Sequence, residues 1–173
     1  MFGRGSKKTQ AMRPGPAVVF AIQPDDKAIR QARSAGKKDG GDLPPPLGQA
    51  TPFVMKLRSE TKTLTRDNVT AATTRFYRIK ARVQAESAKG ASAHTILSFL
   101  SDLDELVDRL ENNFKAALQA LEALEQAYLD EAGPRWDRKN YPFHIPGHDT
   151  TDDAKAIEEL KGKLSGLKKE VGY

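Results

Sequence analysis

Ten apolar residues in the second half of the chain repeat at alternating steps of four and three: Ile96, Leu100, Leu103, Val107, Leu110, Phe114, Ala117, Leu121, Leu124 and Tyr128. No proline or glycine interrupts the series. Such spacing holds one seam of a long helix toward a partner helix, so the segment must pack against other helices. A second row, Phe99, Leu106, Leu118 and Leu129, widens the stripe beyond what a two-stranded coil covers. More than one helix is therefore expected on this spine.

Two further segments carry the same signature. Val69, Ala72, Phe76, Ile79 and Val83 mark a helix expected over 67–89, opened by Thr65 or Asp67 and stopped by Gly90. Ile157, Leu160, Leu164, Leu167 and Val171 mark another over 151–170, with Asp152 and Asp153 in its first turn and Lys168 and Lys169 in its last, as the helix dipole favours. The long helix is expected over 92–132, closed by Gly133 and Pro134. At 1.5 Å per residue it spans on the order of 60 Å, and the two shorter helices together cover that length. The expected fold is mainly α: an antiparallel helical hairpin or three-helix bundle with one long central helix, over 61–173.

The first sixty residues read differently. Glycine and proline concentrate there, and an extended, mostly irregular N-terminal arm without its own core is expected. Within it, 17–22 and 53–58 have the composition of short strands, and Pro24, Asp25 and Asp26 open a short helix to about Ser34. Lys37 to Gly48 reads as linker, flexible at Gly40 and Gly41 and stiff at Pro44, Pro45 and Pro46.

Charge is segmented along the chain. Residues 1–60 hold eleven Lys/Arg against five Asp/Glu, 66–89 hold six against two, and 96–131 hold two against nine. The basic 67–89 helix is expected to flank the acidic half of the long helix around 102–111. The chain contains no cysteine, which excludes disulfides and thiolate metal sites. No apolar run approaches the roughly 18–20 residues of a membrane span. The basic stretch 1–16 precedes only a short apolar patch, so no secretory signal is expected, and the virion or the host cytoplasm is the expected location.

Candidate sites are few. His144, His148 and Asp149 are the only metal-like grouping. Pro146 and Gly147 break the helix that would put both rings on one face, so no metal and no cofactor is expected. Trp136, Tyr141 and Phe143 interleave with Arg135, Arg138 and Lys139. They are expected to cap the open end of the bundle or to dock on a neighbouring subunit, while the same interleaving suits stacking on exposed bases. Val18, Val19, Phe20, Phe53 and Met55 are the arm's candidates for inserting into a partner protein. Arg4, Lys7, Lys8 and Arg13 are candidates for phosphate contact. No nucleophile–base spacing and no glycine-rich cradle occurs, so neither catalysis nor a small-molecule substrate is expected.

Three functional classes fit these features. A non-catalytic structural or assembly subunit leads, with a bacteriophage virion component (head, connector or tail) as its best instance, because a rigid hairpin with a threading arm suits contact with neighbouring subunits. A nucleic-acid-associated protein using the arm and the first long helix is second. A coiled-coil adaptor or chaperone offering part of its seam to a client helix is third.

Overall fold

The computed structural model describes residues 24–40, 51–133 and 149–173. Four helices and no strand occur among them: α1 (Asp26–Asp39), α2 (Pro52–Ala88), α3 (Ala93–Ala132) and α4 (Thr151–Glu170). The strand expected at 17–22 lies outside the described residues.

Each start has a local cause. Asp25 accepts from the Ala28 amide at 2.8 Å to open α1, and Ser92 accepts from Thr95 at 3.3 Å to open α3. For α4, Thr150 at the cap position supplies no side-chain bond. Asp149 Oδ1 accepts from the Thr151 amide instead, at 2.6 Å. Gly90 and Gly133, with φ of 73° and 83°, take a positive φ where α2 and α3 end, which costs a glycine little.

Several expectations for the first half of the chain are corrected. Residues 53–58 form helix, not strand, and the first long helix begins at Pro52 rather than near Asp67. Thr51 caps it, accepting from Val54 at 3.3 Å, and Pro52 at the first position arrives with φ already helical. The run Phe53, Met55, Leu57 alternates, but Val54, the adjacent pair Leu57 and Arg58, Thr61, Thr65 and Asn68 recur at a helical spacing, and these are buried. Polar members disguise the helical period. In consequence α2 continues unbroken through residue 60, where the arm was expected to meet the bundle. Likewise α1 runs through to Asp39, taking in residues expected as linker.

The interior forms two apolar clusters. One joins 69–83 of α2, 96–110 of α3 and Ile157, Leu160, Leu164 and Leu167 of α4. The other joins Ala32 of α1, Val54 and Leu57 of α2, and Leu124, Ala127, Tyr128 and Ala132 of α3. Phe76, Leu103 and Leu110 are almost wholly withdrawn from water, each contributing about 1.5–3 kcal/mol relative to exposure. Beyond the clusters' apolar contacts, Phe53 of α2 stacks on Tyr128 of α3 and Arg58 reaches Glu125.

Between the clusters α2 buries Arg58, Thr61, Thr65 and Asn68. Arg58 grips Glu125 through Nε at 2.6 Å and Nη2 at 3.3 Å. Thr61 returns its hydroxyl to the Leu57 carbonyl at 2.9 Å. Asp153, in the first turn of α4, accepts from Lys62 Nζ at 3.1 Å and from Thr65 Oγ1 at 2.9 Å. This belt fixes where α4 starts on α2. Farther on, Lys161 meets Glu111 and Lys168 meets Asp104, both at 2.7 Å, so α4 runs against the direction of α3.

Candidate functional site

Helix α1 docks on α3 away from Gly90, against Tyr128 and Ala132. Here α1 lies so close to α3 that its glycines touch backbone. A Cβ on Gly36 would run into the Tyr128 carbonyl oxygen, and one on Gly40 would lie 2.9 Å from the Ala132 carbonyl oxygen. Ala28, Ala32, Gly36 and Gly40 are spaced by four and form the small face that permits this approach. Neither glycine is free linker.

Tyr128 holds the site together. Its side chain is fully buried, its ring stacks on Phe53 with centroids 5.2 Å apart, and its hydroxyl donates to Asp39 Oδ2 at 2.7 Å. Burial pushes its phenol above the ordinary range; contact with the Thr51 hydroxyl opposes the rise and the Asp39 carboxylate adds to it. One ring thus joins the last residue of α1, the cap of α2 and the last turns of α3. Gly40, Thr51 and Gly133 are all at this end.

Of the residues expected to meet a partner, the structure describes two. Phe53 is half-buried against Tyr128 and serves the interior. Met55, two positions on, is 44% exposed and remains open to a partner. Val18, Val19, Phe20, Trp136, Tyr141 and Phe143 lie outside the described residues, as do the phosphate candidates Arg4, Lys7, Lys8 and Arg13 and the histidines His144 and His148.

Away from this end the surface carries a groove between α3 and α4, lined by Asp104, Val107, Asp108, Glu111, Lys161, Leu164, Ser165 and Lys168. Two ion pairs cross it. Glu111 is held below the usual carboxylate range, first by the hydrogen bond from Lys161 and next by that from Lys115, and Lys161 is raised by the same partner. Charges here are spent on joining the two helices. Among the described residues no group of three or more His, Asp or Glu is arranged to hold a metal, and no helix is long and apolar enough to cross a membrane.

The residues missed in the sequence are Asp39, Gly36, Gly40 and the buried polar side of α2. The four-residue spacing of small residues in α1 was the available signal for the glycines. No protein-family model matches the chain, and neither a curated protein nor a solved structure matches it.

Proposed function

We propose that the chain is a non-catalytic structural subunit of a larger assembly. In this reading α2 and α3 form an antiparallel helical hairpin that α1 and α4 brace toward opposite ends. The observation that carries it is how the buried polar groups are used. Arg58 with Glu125, Lys62 with Asp153, and Tyr128 with Asp39 each tie one helix to another. A reactive site keeps polar groups aimed at an open space; here they are consumed in fastening. The product is a stiff rod about 60 Å long at 1.5 Å per residue.

A rod of this kind acts through what it joins. The 1–23 segment is basic and the stretch 96–131 is acidic in sequence, so one copy can lie against the next. A bacteriophage virion component (head, connector or tail) is the class of assembly that a hairpin with a basic arm suits best. Light scattering over a concentration series tests the reading. The full chain is expected to form species heavier than a monomer, and a chain beginning at Pro24 to remain monomeric with the same helix content. Monomers from both chains at every concentration would refute it.

A further inference from the structure

In the α3–α4 groove each lysine faces a carboxylate, but on α2 the balance is different. Between residues 66 and 89 it carries Arg66, Arg75, Arg78, Lys80, Arg82 and Lys89 against Asp67 and Glu86. Two of these cations, Lys80 and Arg82, and Lys163 of α4 are held by rings. Tyr77 is 42% exposed, and Lys80 Nζ and Lys163 Nζ lie 5.8 and 5.0 Å from its ring centroid, one from α2 and one from α4. Lys163 also donates to the Tyr77 hydroxyl. Arg82 lies over Phe99 at 5.4 Å. An aromatic ring attracts a cation without cancelling its charge, so these groups are positioned and still able to meet an anion.

On α4 the carboxylate of Glu159 acts on Lys163 through its charge. Glu170 accepts from Gln84 at 3.1 Å, which does not neutralise it. Arg66 and Lys80 share the Tyr77 side of α2, and between them a straight helix rises about 21 Å, a length that spans several phosphates of one strand. Thr70, Thr73, Thr74 and Ala81 separate the cations and offer no large apolar side chain to enter a bilayer. A repeating, hydrated polyanion fits such a face better than a membrane does.

We propose that the face of α2 centred on Tyr77, Lys80 and Lys163 binds the phosphate backbone of a nucleic acid without reading its sequence. The inference is independent of self-assembly and of residues 1–23. A mixed-sequence DNA duplex titrated with the full chain at several salt concentrations tests it. Lys80→Gln with Lys163→Gln should weaken binding and lower the slope of log affinity against log salt by roughly two, about 0.9 for each lost phosphate contact. Lys27→Gln with Lys56→Gln removes the same charge elsewhere and should preserve the slope. Circular dichroism of both variants confirms that each remains folded. An equal loss in the two variants would reduce the effect to net charge and overturn the proposal. So would absence of binding by the full chain at low salt, or binding to phosphatidylserine vesicles but not to the duplex.

Discussion

Gly36 and Gly162 are the same residue type in helices of one chain, and the structure assigns them opposite consequences. At Gly36 a methyl group would strike the backbone of α3, which cannot step aside; Gly36→Ala should cost at least about 1–3 kcal/mol and free α1. At Gly162 nothing stands within 4 Å of the added carbon, so Gly162→Ala should stabilise the chain by about 0.4–1 kcal/mol. Thermal unfolding reads both, and protease cleavage within 26–39 should accelerate only in the first. Tyr128 supplies a test in pH. Its phenol is raised in the folded chain, so the stability it contributes is complete below its ordinary value of 10.0 and is lost as pH climbs toward the folded value. Tyr128→Phe should lose about 1–2 kcal/mol near neutrality for the hydrogen bond to Asp39. In denaturant melts the variant's stability should fall less steeply above pH 10 than that of the parent. None of this was legible in the sequence, because Tyr128 counted there as one more apolar member of a seam. Asp39 is 89 positions away.

Helix α2 shows why periodicity succeeds in one place and fails in another. From Val69 to Val83 its inward residues are apolar, and the sequence displays them. From Arg58 to Asn68 the inward residues are Arg, Thr and Asn, so the same period is present but carries no hydrophobic contrast. The alternating Phe53, Met55 and Leu57 then read as a strand. The ends of α3 were easier, since Ser92 and Gly133 are themselves the groups that start and stop it. The belt also has an energetic signature. Arg58→Met alone leaves the Glu125 carboxylate buried without its fork and should cost about 3–5 kcal/mol, whereas Arg58→Met with Glu125→Leu should recover most of that loss. A double-mutant cycle in urea measures the coupling. Near-additive losses would show that the pair does not act as a unit.

Across the whole molecule, charge links α3 to α4 while apolar contact supplies the bulk of the attachment. Glu111 is depressed by Lys161, so its contribution is present above the ordinary carboxylate value of 4.5 and is lost as pH falls through its lower folded value. Lys161→Gln should therefore flatten the decline of stability with acid over that window, and added salt should do the same. The helical composition and the three long segments were visible as spacing. How α1 and α4 share the spine was not, because the belt and the glycine contact depend on partners distant in sequence. If one chain closes its own seam, carbodiimide coupling at low protein concentration should join Asp104 to Lys168 by an amide within a monomer, because the carboxylate and the ammonium already stand 2.7 Å apart in one chain. Mass analysis of the coupled species and of its peptides reads the result. The same amide found only in dimers would refute closure within the chain.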